Sequence, residues 1–163
     1  MPYTPNYAPG DVLTAAAMNS IGEAWSTFGS GTNWKAATTN PALGNGTWTG
    51  YYQQINKTVF VRVRIKMGST TTYGTGDYRI DLPVTAKTTG WQNGDPLGLF
   101  QAYDATATAI YGGQVLWLSS TQVSAAYYGN IAGTLFLSNV NKDNPFTLAT
   151  NDEIKFYFTY EAA

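Results

Sequence analysis

Ten carboxylates are the chain's acidic side chains: Asp11, Glu23, Asp77, Asp81, Asp95, Asp104, Asp143, Asp152, Glu153 and Glu161. Glycoside hydrolysis needs two carboxyls facing each other across a cleft. Most of these acids stand in predicted turns, where Asp is favoured because it hydrogen-bonds its own backbone. Only Asp81, on a predicted strand, comes close to the requirement. The chain has no His and no Cys. That removes the commonest general base, the thiolate nucleophile, most zinc sites and every Ser-His-Asp arrangement. The expectation is a protein that is not an enzyme and carries no cofactor. Asn139-Val140-Asn141-Lys142-Asp143 sets oxygens at alternate positions, as calcium loops do, but lacks the glycine and distal Glu of that pattern. It reads as a polar turn, and no metal site is assigned.

Stacking and hydrogen bonding remain. The loop Trp91-Gln92-Asn93-Gly94-Asp95 combines an aromatic ring with amide and carboxylate groups, the chemistry that holds a sugar ring. Tyr73 and the pair Tyr127-Tyr128 offer similar surfaces. The candidate ligand contacts are therefore Tyr73, Trp91, Asn93, Asp95, Tyr127 and Tyr128, with a carbohydrate as the expected ligand. Aromatic residues also fill cores and interfaces, and Trp48 and Trp117, inside predicted strands, are assigned to the core.

The elements that must position these groups are strands. Val59, Val61, Val63, Ile65 and Met67 alternate with Phe60, Arg62, Arg64 and Lys66. Successive side chains of a strand point to opposite faces, so one face is dry and the other is wet or meets a partner. The basic ribbon Arg62, Arg64, Lys66 is expected to be a plain solvated face; the alternatives are that it faces acids such as Asp77 or Asp81 across the sheet, or that it binds an acidic partner. Thr47 to Ile55 reads as the preceding strand, joined by an Asn56-Lys57 turn. Further strands are read at 78–82, 97–103, 106–110, 115–118, 122–127 and 134–137. Gly112-Gly113 reads as a turn. Ile154 to Tyr160 alternates again, with Ile154, Phe156, Phe158 and Tyr160 inward. Short, regularly punctuated strands predict an all-β fold, an antiparallel β-sandwich or jelly roll.

Residues 1–33 differ from the rest. Prolines at 2, 5 and 9 hold the start extended. Thr14 is a natural helix N-cap, three alanines follow, and Leu13, Ala17 and Ile21 recur at four-residue spacing before Gly22. This predicts a two-turn helix, marginal alone, that docks on the body or on a copy of itself. The expected organisation is 1–33 as an arm with a short helix and 34–163 as the β-sandwich. Tyr3, Tyr7, Leu13, Ala17 and Ile21 are the candidate attachment or oligomer contacts.

Charged residues make up 12% of the chain and its net charge is −1. This is well below the roughly 25% charged residues of an average soluble domain, so neighbouring copies repel weakly and assembly is expected. Near-neutrality argues against nucleic acid. No apolar run is long enough for membrane insertion. The first residues lack the basic and apolar stretches of a secretory signal, so synthesis in a cytoplasm is expected.

Tyr7-Ala8-Pro9-Gly10-Asp11-Val12-Leu13-Thr14-Ala15-Ala16-Ala17-Met18-Asn19-Ser20-Ile21 resembles a segment recurrent in tail-associated proteins of bacteriophages, especially those infecting actinobacteria. The stretches Thr39 to Tyr52, Lys57 to Arg62, Asp81-Leu82-Pro83-Val84 and Thr159-Tyr160-Glu161-Ala162 are similar to the body of the same proteins. The resemblance implies a structural protein of the virion, in which such β-modules are often homotrimers. It implies partners among the tail or capsid proteins: a tail-fibre or receptor-binding tip, or alternatively a capsid decoration protein or head fibre.

Overall fold

A computed structural model of the chain describes residues 24–163. The helix expected over Thr14–Ile21 and the contacts assigned to Tyr3, Tyr7, Leu13, Ala17 and Ile21 lie outside these residues. The ten strands are β1 (Ser26–Thr27), β2 (Trp34–Ala36), β3 (Thr47–Ile55), β4 (Thr58–Lys66), β5 (Tyr78–Asp81), β6 (Pro96–Asp104), β7 (Ala109–Trp117), β8 (Gln122–Ile131), β9 (Thr134–Asn139) and β10 (Glu153–Glu161). Every pairing is antiparallel.

The hydrogen bonding runs unbroken along β1-β3-β4-β10-β6-β7-β8-β5-β2, with β9 added to β8. The all-β, antiparallel reading holds, but the strands form one continuous sheet where a sandwich would divide them into two. The chain itself explains why that sheet curls. β1 and β2 stand at opposite ends of the path, yet only residues 28–33 separate them. Eight strand spacings would span about 38 Å if flat, whereas seven peptide units reach at most about 24 Å. The sheet must bend into a half-barrel to bring its ends within that reach. The linker includes a single 3-10 turn, Gly31–Asn33, capped by Ser30. Phe28 ties it to β3: its N–H donates to Gly50 O at 3.0 Å, and its carbonyl accepts from Trp48 Nε1 at 3.0 Å.

Inside the curl, apolar residues meet in register. Val59, Val61, Val63 and Ile65 of β4 stand opposite Tyr160, Phe158, Phe156 and Ile154 of β10. Phe156 also faces Phe100 of β6, ring centroids 5.3 Å apart in an edge-on pair. Such cross-strand pairs contribute roughly 0.2–1 kcal/mol each beyond Ala–Ala. Trp34 of β2, Tyr78 and Ile80 of β5, and Val115, Trp117, Val123 and Ala125 of β7 and β8 complete the buried core. Trp48 packs on its margin, half-buried.

One expected turn is absent. Gly112 and Gly113 lie within β7, which runs straight through them, and the turn comes earlier, over residues 105–108. Asp104 Oδ1 accepts there from Thr106 N and Ala107 N, both at 2.9 Å. Gly113 is needed for closeness: a Cβ there would collide with the Ala126 carbonyl of β8. The C-terminal residues are held as well, with Ala162 N donating to Lys57 O at 2.7 Å and Ala163 N to Thr85 O at 3.0 Å. Among the described residues no helix is long and apolar enough to cross a membrane.

Candidate functional site on the outer sheet face

The alternation that buries one side of β4 puts Phe60, Arg62 and Arg64 on the other, all exposed. Register then builds rows across four strands. Tyr51, Arg62, Tyr157 and Leu99 form one row, and Thr49, Arg64, Lys155 and Gln101 the next. Leu99 is 68% exposed and Tyr157 48%, a poor arrangement for side chains facing only water.

Arg62 lies close to two aromatic rings. Its guanidinium carbon is 4.8 Å from the Trp25 ring centroid and 4.7 Å from that of Tyr51. A cation over an exposed ring is held by roughly 0.5–1 kcal/mol. No carboxylate pairs with it among the described residues. Trp25, Phe60, Leu97, Leu99 and Tyr157 line a shallow apolar groove beside it. Aromatic rings with Arg are the composition of the centre of a protein interface.

The neighbouring cations are paired where a solvated face was expected, and their partner is neither Asp77 nor Asp81. Arg64 makes a two-point contact with Glu153, Nε to Oε2 at 3.0 Å and Nη2 to Oε1. Lys155 reaches Glu153 Oε2 at 3.3 Å and Gln101 Oε1 at 3.3 Å. Arg64 and Lys155 stand directly opposite each other in register, and Glu153, its side chain 11% exposed, offsets their repulsion. Asp77 instead accepts from Asn139 Nδ2 at 2.8 Å, and Asp81 accepts from Gln122 Nε2 at 2.8 Å and forms an ion pair with Lys35 Nζ at 3.6 Å.

Arg64 first, and Lys155 after it, holds the Glu153 carboxyl below the usual Glu range. A carboxyl depressed in the folded state stabilises above its unfolded pKa, about 4.3, and that contribution is lost as pH falls through the lowered value. Glu153→Gln is therefore expected to cost about 2 kcal/mol at pH 7, the worth of charge-assisted hydrogen bonds to a mostly buried acceptor. The gap between the urea unfolding midpoints of the two proteins should narrow as pH falls below about 4. A gap unchanged between pH 7 and pH 3 would remove the ion pair from this role.

The residues singled out in the sequence are dispersed. Trp91 is half-buried and stacks on Trp117, centroids 5.9 Å apart at 22°. Asp95 Oδ2 accepts from Gln92 N at 2.8 Å and shapes the turn that leaves Asn93 exposed. Tyr73 is half-buried, and its carbonyl accepts from Tyr78 Oη at 2.8 Å. Tyr127 and Tyr128 follow each other on β8 and so point to opposite faces. Tyr127 approaches Asn144 Oδ1 at 3.4 Å, while Tyr128 is 49% exposed beside Leu137. In the stretch 139–143, Asn141 Oδ1 accepts from Asp143 N at 2.9 Å and Lys142 pairs with Asp143 at 2.6 Å. These oxygens turn to protein donors.

Outer-face placement of Arg62 was legible from alternation. Its two rings were not, because Trp25 precedes every strong strand signal.

The described residues form a curled, antiparallel all-β sheet whose outer face carries aromatic rings and arginines. The chain is similar to the Mu-like prophage FluMu defective tail fiber protein of Haemophilus influenzae, 29% identical over 122 residues. That match covers 75% of this chain and 18% of the relative's length. No protein-family model matches the chain, and no solved structure does.

Proposed function

We propose that the chain is a non-enzymatic structural component of a phage tail, acting in the virion as a fibre or receptor-binding tip attached through its N-terminal arm. The similarity to a prophage tail fibre protein over three-quarters of the chain is the observation that carries this reading. The absence of His and Cys agrees with a role free of catalysis. The protein assembles as a homotrimer, and the β8–β9 hairpin supports self-association: Leu135 is 72% exposed and Leu137 47%, on a strand that among the described residues pairs along one edge only. Apolar side chains on a free strand edge favour contact with another chain. The receptor-facing groups are the exposed Asn93 and Tyr128, with Trp91 and Asp95 shaping the loop that carries Asn93; the ligand is a host cell-surface glycan.

Purified protein should compete with phage particles for adsorption to host cells. The double variant Asn93→Ala, Tyr128→Ala should raise the concentration needed by about tenfold, the loss of a stacking contact and a hydrogen bond. Wild-type protein that leaves adsorption unchanged would contradict the receptor-binding reading.

A further inference from the structure

We propose that the outer face around Arg62 is a binding site for an acidic saccharide, whose carboxylate is held by Arg62 and whose ring packs among the aromatic side chains beside it. Charge argues for the carboxylate. The three rows of outward side chains centred on Arg62 hold the cations Arg62, Arg64 and Lys155 and no acid. The acids of β10 stand one row further out at either end and are engaged there, Glu153 by Arg64 and Lys155, and Glu161 by Lys87 at 2.9 Å. Arg62 has no carboxylate partner among the described residues. Trp25 and Tyr51, with ring centroids 4.8 and 4.7 Å from its guanidinium carbon, hold it in place before any anion arrives, and a preorganised group costs less to bind. Arg64, its side chain 54% exposed, commits Nε and Nη2 to Glu153, which leaves the two donors of its Nη1 for the same ligand.

Shape and lining argue for a sugar. A pocket of about 180 Å³ opens beside Arg62 and Arg64, lined also by Thr49, Tyr51 and Tyr157. Toward Phe60 and Leu99 the groove that shares Arg62 and Tyr157 with it adds about 430 Å³. Openings of this size hold small ligands. The hydroxyls of Thr49, Tyr51 and Tyr157 can exchange hydrogen bonds with those of a sugar, and the negative faces of aromatic rings attract its C–H groups. Trp25 and Tyr157 are open to such contact, 41% and 48% exposed. A peptide is served less well. β3, β4, β10 and β6 each pair on both sides, so an extended chain finds no open strand edge to hydrogen-bond. Neither Asn93 nor Tyr128 lies on these strands, so the site is additional to the receptor-facing groups proposed above and does not depend on them.

The full-length protein is titrated by calorimetry at low salt with three probes: oligogalacturonate, a carboxylated sugar chain; its methyl ester, the same chain without charge; and oligoglutamate, the charge without the sugar. Oligogalacturonate should bind well ahead of the other two, and its affinity should fall as salt rises. Arg62→Ala should weaken that binding about tenfold, the loss of a charge-assisted hydrogen-bonded pair. Arg62→Lys keeps the charge without the planar fork and should recover only part of the loss. Tyr157→Ala should weaken binding severalfold through the lost ring contact. Lys142→Ala makes the same change of net charge on the loop after β9 and should leave affinity unchanged. Near-ultraviolet circular dichroism should confirm that each variant is folded. Failure of the wild-type protein to bind oligogalacturonate would overturn the proposal, as would equal binding of the methyl ester or equal losses in Lys142→Ala and Arg62→Ala. Oligoglutamate bound as tightly as oligogalacturonate would also overturn it, and would assign the face to an acidic protein segment.

Discussion

Asp152→Ala is expected to destabilise the protein by about 3 kcal/mol, because it orphans two backbone donors at once. Asp152 is 1% exposed. Its Oδ1 accepts from Ala105 N at 2.8 Å and its Oδ2 from Ala149 N at 2.6 Å. One carboxylate thus fastens the turn between β6 and β7 to the turn that launches β10. Its own carbonyl accepts from Met67 N at 2.9 Å, which adds the end of β4 to the same knot. Truncation leaves both N–H groups without an acceptor, at a cost of roughly 1–3 kcal/mol each. For a chain of this length a loss of about 3 kcal/mol lowers Tm by roughly 10 °C. Asp152→Asn keeps one acceptor oxygen and should lose about half as much. Urea unfolding separates these cases by a shifted midpoint at constant slope. A loss below about 1 kcal/mol for Asp152→Ala would mean that the two donors find other acceptors.

Trp34→Ala should cost about 4 kcal/mol, near the top of the range for core truncations. Trp34 is fully buried on β2, the last strand of the sheet, and meets Tyr78 edge-on at 5.1 Å. Its anchoring keeps that end of the curled sheet in place, so the cavity loosens the closure as well as the local packing. Trp34→Phe makes the contrast. Trp34 Nε1 is buried and has no hydrogen-bond acceptor among the described residues. Phe removes that unpaired donor, which offsets part of the lost ring area, and the expected cost falls below about 2 kcal/mol. Equal losses for Ala and Phe would show that the indole N–H is satisfied in solution.

These two residues mark the limit of what the sequence discloses. β3 is legible to the residue, because its end coincides with the Asn56-Lys57 turn, where Asn56 adopts φ 55°. β4 and β10 are legible because each buries one face, and a two-residue period survives only under that condition. The curl is not legible. It follows from β1 and β2 pairing at opposite ends of one sheet, and β1, at two residues, carries no periodic signal. Gly113 misled for a related reason: glycine marks a turn or a close approach equally well, and only the neighbouring strand decides which.

The candidate site divides along the same line. Alternation placed Arg62 and Arg64 on the open face, but Arg64 meets Glu153 across a separation of 89 positions. Composition and local spacing are blind to that register. Asp152 looked like one more turn acid, and its burial depends on three segments meeting around it. Trp91, by contrast, stood on a turn with sugar-binding neighbours and proved to rest on Trp117, so its ring serves the core on one side at least.

The most direct test of a tail role is antibody-gold labelling of the phage particle that carries this chain, viewed by electron microscopy. The account predicts gold confined to the tail end, at the fibres or their tips. Gold spread evenly over the head would contradict it, and would assign the chain to capsid decoration.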